Sequence, residues 1–104
     1  MSEAPEDRFY QALGMKVRAR RQALGMSQAA LANRLGLTRV SVTNLEAGRQ
    51  RPLAHQVAVL ADQLGTSVED LMPKFEVAEY DVEQAFDDEM IELVRTSAKA
   101  QRAQ

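Results

Sequence analysis

Apolar residues recur at helical spacing over the first 72 residues of the chain. In residues 7–24, Phe9, Leu13, Val17 and Leu24 lie four or seven positions apart, which places them on one face of a helix. The same kind of spacing predicts four further short helices, over residues 28–35, 39–47, 54–64 and 68–72. The pattern therefore predicts an all-α fold.

Start and stop signals support these boundaries. Ser27, Thr38 and Ser67 each precede a predicted helix, and a hydroxyl there can accept a hydrogen bond from a backbone N–H of the first turn. A glycine, which readily adopts the left-handed conformation that ends a helix, follows each of the first four helices. These glycines are Gly25, Gly36, Gly48 and Gly65. Pro73 ends the fifth helix.

The helical spacing divides the second and third helices into an inner and an outer side. We expect the inner side to be formed by Ala30, Leu31, Leu35, Val42 and Leu45. The outer side of the third helix carries Arg39, Val40, Ser41, Thr43 and Asn44. Short hydrogen-bonding side chains on an exposed helix are what contact with base edges in the major groove of DNA requires. The two helices are therefore interpreted as a helix-turn-helix.

The charged residues are unevenly distributed along the chain. The whole chain has a net charge of −2, but residues 8–51 contain nine lysines and arginines and one acid, a net charge of +8. Residues 52–104 contain four bases and eleven acids, a net charge of −7. A basic segment of this kind favours nucleic-acid binding, although clustering of ordinary surface charges is an alternative.

The composition offers little for other chemistry. There is no cysteine, and no apolar run reaches the ~18 residues that span a bilayer, so a cytoplasmic protein is expected. The single histidine, His55, has no partner at metal-ligand spacing, and the acids at 87–89 point in different directions on a helix. No nucleophile–base arrangement is evident, so we expect neither an enzyme nor a cofactor or metal.

The order of these residues resembles the Cro/repressor (XRE) family of helix-turn-helix proteins over about residues 9–73. The resemblance is carried by Arg18, Arg21, Gly25, Met26, Ser27, Gln28, Leu31, Ala32, Gly36, Leu37, Thr38, Val42, Leu45, Glu46, Gly48, Pro52, Leu60, Ala61, Leu64, Gly65 and Ser67. It implies a five-helix repressor-like domain that binds double-stranded DNA.

The resemblance also implies a role for each matching residue. Base reading would fall to Arg39, Val40, Thr43 and Asn44, with Ser41 on the same surface. Phosphate binding would fall to Gln28, Arg49 and Arg51, with Arg18 and Thr38 as further candidates. Arg21 and Glu46 occupy positions that form a largely buried ion pair in family members.

The composition changes after Pro73. Residues 74–80 are ambiguous between a short strand and a linker, and Asp81 with Gln84 resembles a capping box that opens an amphipathic helix over 82–97. We expect a homodimer interface here, formed or supported by Phe75, Val77, Phe86, Met90, Leu93 and Val94. The alternative is that this arm folds back on its own domain. The expected division is a frayed start (1–6), the DNA-binding domain (7–73), the arm (74–98) and a frayed tail (99–104).

The hypothesis that follows is a dimeric, sequence-specific repressor or autoregulator on a palindromic operator. A second hypothesis is an antitoxin or a protease-controlled regulator, in which the arm binds a toxin or a peptidase. A third is a restriction–modification controller. The three share the helix-turn-helix and differ in what the arm does.

Overall fold

The computed structural model of the protein describes residues 3–74 and, further along, residues 85, 86, 90, 92, 93 and 96. Within residues 3–74 the regular structure is five helices and no strand. They are α1 (Pro5–Ala23), α2 (Gln28–Leu35), α3 (Arg39–Glu46), α4 (Ala54–Gln63) and α5 (Val68–Leu71). The prediction of an all-α, five-helix domain is confirmed.

The chain divides into two units, residues 1–74 and residues 75–104. In the second unit, residues 85, 90, 92, 93 and 96 are helical, whereas Phe86 lies in a bend. At Phe86 the structure therefore departs from the helix predicted over 82–97. Some of the predicted features lie outside the described residues. They are Phe75, Val77, Val94 and the predicted strand or linker beyond Lys74.

Side-chain caps start three of the helices as predicted. The Ser27 hydroxyl accepts a hydrogen bond from the Ala30 N–H at 3.0 Å, and the Thr38 hydroxyl accepts one from the Ser41 N–H at 3.1 Å. Ser67 caps α5 in the same way. The four predicted stop glycines all have positive φ values, between 64° and 79°. Local sequence therefore sets most of the helix ends.

All five helices contribute to the core of the first unit. Its buried apolar members are Leu13, Val17, Leu31, Ala32, Val42, Leu45, Leu60, Ala61, Leu64 and Leu71. One burial expectation was wrong, and the end of α1 differs by one residue from its predicted position. Ala30 is exposed and Ala32 is buried in its place, because the inner side of α2 runs through Leu31 and Ala32. Leu24 is 44% exposed, since α1 ends at Ala23 and the chain turns away.

Helices α1 and α3 approach each other through their backbones. A Cβ atom added at Gly14 of α1 would lie 2.5 Å from the carbonyl oxygen of Leu45, closer than real Cβ contacts allow. A Cβ added at Gly48 would lie 2.6 Å from the Cα of Gln11. Two glycines thus let the C-terminal end of α3 press directly against α1. Gly14 was not predicted from the sequence, because a glycine inside a helix carries no local signal of its partner.

Candidate nucleic-acid interface

Helix α3 presents one side to the core and the other to solvent. Val42, Leu45 and Glu46 are buried. On the opposite side Arg39, Val40 and Thr43 are exposed, and Asn44 is half-buried. Val40 leaves 69% of its surface exposed, as much as Met15 of α1 does. We call Arg39, Val40, Thr43 and Asn44 the α3 outer face.

Ser41 and Thr38 sit at the edge of this face. The Thr38 hydroxyl donates to the Ser41 hydroxyl at 3.0 Å while it caps the helix, so both groups are engaged with each other. Ser41 is half-buried and lines a groove of about 500 Å³ together with Leu37, Leu45 and Val59. His55, which lines the same groove, is an exposed residue of α4.

A buried ion pair lies behind the α3 outer face. The Arg21 guanidinium donates from Nε to Glu46 Oε2 at 2.7 Å and from Nη2 to Oε1 at 3.0 Å, and each residue is only 7% exposed. A third donor of Arg21 binds the Met26 carbonyl at 2.7 Å. The hydrogen bond with Glu46 raises the pKa of Arg21, and the charge of Glu46 acts in the same direction, against the lowering effect of burial. The structure thus brings together the two residues that the resemblance pairs.

Gln28 connects this ion pair to the α3 outer face. Its amide nitrogen donates to Glu46 Oε1 at 3.2 Å, and its amide oxygen accepts from the Thr43 hydroxyl at 3.0 Å. Gln28 is the first residue of α2 and is half-buried. One amide hydrogen is used by Glu46, and the other remains available for a ligand such as a phosphate oxygen.

The loop after α3 holds two further cations. Arg49 is exposed, and its Nη1 donates to the amide oxygen of Asn44 over 3.4 Å. Arg51 donates to the Asp7 carboxylate at 3.0 Å, and its guanidinium carbon lies 5.4 Å from the centroid of the Tyr10 ring. Arg51 is therefore tied to α1, which the sequence analysis did not foresee.

Other basic residues face the ends of α4 and α5. Arg20 donates to the carbonyl oxygens of Leu64 and Gly65 at 2.7 and 2.9 Å. Arg34 donates to the Gln63 carbonyl at 3.2 Å, and Lys16 donates to the Asp70 carbonyl at 3.2 Å. Cations at a helix C-terminus satisfy its free carbonyls and suit its dipole. Arg18 is exposed on α1, and among the described residues it shares no hydrogen bond with α3 or its loop.

Among the residues that the structure describes, no group of three or more histidine, cysteine, aspartate or glutamate side chains could hold a metal ion. Within the same residues no helix has both the length and the hydropathy needed to cross a membrane.

Comparison with known proteins defines the class. A family model described as "Helix-turn-helix domain" matches residues 12–73, more than half of the chain. The protein therefore belongs to the helix-turn-helix domain family. It is similar to the crystal structure of the DNA-binding domain of BldD, with a TM-score of 0.60 and 29% identity, over 70% of this chain and 100% of that one. No curated protein matches significantly.

The chain is also similar to part of an enzyme. Hydroxypropylphosphonic acid epoxidase from S. wedmorenis matches with a TM-score of 0.59 and 32% identity, over 62% of this chain and 34% of that one. The same TM-score and identity relate the chain to FeII HppE in complex with substrate, 37% of which is covered. The chain thus spans about a third of these proteins. Because similar folds occur in a DNA-binding domain and in part of an enzyme, the function of this chain must be argued from its site.

Proposed function

We propose that this protein is a sequence-specific, DNA-binding transcriptional regulator. The observation that carries the proposal is the α3 outer face, where an arginine, an asparagine, a threonine and an exposed valine project from a helix that is fixed from behind by Gln28 and Glu46. Such a helix fits the major groove and can meet base edges there. The likeness to the DNA-binding domain of BldD supports this assignment.

Phosphate contacts would hold α3 in register. Arg49 and Arg51 follow its C-terminal end, and the second amide hydrogen of Gln28 is available beside Thr43. Cations of this kind add affinity without selecting sequence, whereas base contacts select. Arg49 and Arg51 therefore take the clamping role, and the α3 outer face takes the reading role.

The regulator acts as a homodimer on a palindromic operator, as a repressor or autoregulator of the Cro/repressor type in the cytoplasm. One recognition helix covers only ~4–5 base pairs, so two copies are needed for a useful site. In the second unit Phe86, Met90 and Leu93 leave 43%, 47% and 63% of their surfaces exposed. Apolar residues with that exposure support an interface with a second copy. The protein acts by binding alone, without catalysis.

Selection of bound sites from random DNA tests the proposal. The full chain should enrich two inverted half-sites whose centres lie about one helical turn apart. The half-site would give the bases read by α3, and the spacing would give the dimer geometry. Recovery of unenriched DNA after repeated rounds would overturn the proposal.

The exposed apolar residues of the second unit also favour a second candidate, in which they bind a different protein such as a toxin or a peptidase. Mass measurement in solution separates the two. A full chain that is dimeric, and a chain ending at Pro73 that is monomeric, support the homodimer. A full chain that is monomeric at all concentrations favours the partner protein, and a shortened chain that still dimerises contradicts a dimer interface in the second unit.

A further inference from the structure

A chain of hydrogen bonds from Glu46 fixes the orientation of Gln28. Both carboxylate oxygens of Glu46 accept from the Arg21 guanidinium, so Glu46 is an acceptor on both sides. Gln28 must therefore turn its amide nitrogen toward Glu46, at 3.2 Å. The amide oxygen of Gln28 is then the atom that faces Thr43, at 3.0 Å.

This orientation determines what the Thr43 hydroxyl does. Its two neighbours, the Gln28 amide oxygen and the Arg39 backbone carbonyl, both lie at 3.0 Å and neither can donate. The single hydroxyl proton of Thr43 is therefore used inside the protein. Contact with the carbonyl one turn earlier also holds the hydroxyl back along the helix. Toward a ligand the hydroxyl can therefore only accept, and the methyl group is the apolar part of this exposed side chain.

Val40 lies three residues before Thr43, on the same side of α3, and is 69% exposed. We infer that Val40 and Thr43 form an apolar patch that recognises the 5-methyl groups of thymine in the major groove. This Val40–Thr43 patch rests on the proposed function and deepens it, because it assigns a base and a type of contact to Thr43. The resemblance at the level of sequence gives Thr43 a place at the DNA but not the group that it uses.

The donors around the patch complement it. Arg39 offers only N–H groups, and the Asn44 amide oxygen is directed to Arg49, which leaves the Asn44 amide nitrogen as a donor. Donors of this kind fit the O4 of thymine, and equally the O6 and N7 of guanine and the N7 of adenine. The α3 outer face thus combines apolar groups that fit the thymine methyl with donors that can bind several bases at neighbouring positions.

Replacement of thymine by uracil in the DNA tests the patch directly. Uracil lacks the 5-methyl group and keeps the same hydrogen-bonding groups. The duplex obtained by selection from random DNA is compared with copies in which one thymine at a time is replaced by uracil, using the full chain. We expect one or two positions to weaken binding by about fourfold each, the effect of one buried methyl-sized group.

Matched variants assign a position to Thr43. Thr43→Val keeps a methyl and removes the hydroxyl, and both residues are β-branched, so the thymine-to-uracil ratio should be unchanged. Thr43→Ser keeps the hydroxyl and removes the methyl, so the ratio should fall to one at a single position. Val40→Ala should lower the ratio at a neighbouring position.

The outcomes are distinguishable. Loss of the thymine-to-uracil ratio in Thr43→Val, with retention in Thr43→Ser, would show that the hydroxyl reads the base and would overturn the inference. Equal affinity of the parent protein for thymine and uracil at every position would also overturn the inference, and this outcome needs no variant. Failure of the selection to enrich any sequence would instead count against the proposed function.

Discussion

Seven basic residues of the first unit fall into two groups that the sequence does not separate. We call Lys16, Arg20, Arg21 and Arg34 the structural cations, because each donates to a backbone carbonyl or to a buried carboxylate. We call Arg39, Arg49 and Arg51 the surface cations, because they are exposed on α3 or on the loop that follows it. The two groups are similar in chemistry and differ in what occupies their donors.

The net charge of a basic segment does not identify the side chains that can bind a ligand. The net charge of +8 over residues 8–51 predicts a field that attracts phosphate, but it does not say which side chains can bind it. Of the nine cations, the four structural ones donate within the fold, and Arg8 likewise donates to the Glu3 carbonyl. Arg51 is intermediate, since it is exposed yet paired with Asp7. We therefore expect substitutions of the structural cations to lower stability, and substitutions of the surface cations to alter DNA binding.

The largest effect should come from Arg21→Met. It leaves Glu46 buried without its partner, and we expect the free energy of unfolding to fall by about 3–5 kcal/mol, measured by urea denaturation. The control is Arg21→Met with Glu46→Leu, which removes both charges and should recover most of the loss. Because the pair raises the pKa of Arg21, the arginine's contribution is lost only as pH rises through that raised value, and it should be constant across the physiological range. If Arg21→Met is as stable as the parent protein, Arg21 is not a structural cation.

Arg20→Ala should have the next largest effect. Two charge-assisted hydrogen bonds to the C-terminal end of α4 are lost, and we expect about 1–3 kcal/mol of destabilisation in the same assay. Arg18→Ala, an exposed arginine on the same helix, serves as the matched control and should stay within about 0.5 kcal/mol of the parent. If Arg20→Ala and Arg18→Ala lower the free energy of unfolding equally, the hydrogen bonds of Arg20 do not contribute to stability.

Arg39→Ala should act on sequence preference and leave the fold intact. Loss of a bidentate contact should cost about 1–3 kcal/mol of discrimination at one base pair, measured by competition between the selected half-site and its single-base variants. Asn44→Ala should do the same at a different base pair. If Arg39→Ala leaves both affinity and preference unchanged, Arg39 does not read a base.

The smallest and least selective effect should come from Arg49→Ala. A phosphate contact contributes equally to all sequences, so binding should weaken alike for specific and random DNA. The slope of log affinity against log salt should fall by about one unit, and stability should change by no more than about 0.5 kcal/mol. A change of preference at a single base pair would move Arg49 from the clamping role to the reading role.

The local features of the fold were predictable from the sequence, and the contacts between helices were not. Ser27, Thr38 and the stop glycines act within one or two turns, so neighbouring residues are enough to define them. Ala30 was misassigned because an eight-residue helix gives few apolar positions from which to fix its inner side. Arg20 and Gly14 find their partners 44 and more than 30 positions away, beyond any local pattern.

The candidate site was also predictable only in part from the sequence. The outer positions of α3 follow from helical spacing, and the resemblance to a family supplies the pairing of Arg21 with Glu46. Which atoms of Thr43 remain for a ligand depends on the amide orientation of Gln28, and that in turn depends on a buried carboxylate. Only the three-dimensional arrangement places these three side chains in contact.

The backbone contact at Gly14 has a consequence for how this domain can change over evolution. A helix held by side chains can rotate about its own axis when those side chains are exchanged, whereas α3 meets α1 main chain to main chain and has no such freedom. The same residues will therefore face outward in every descendant that keeps this glycine. New binding preferences must then arise by exchange of individual outward-facing residues, one position at a time, on a platform that stays in place.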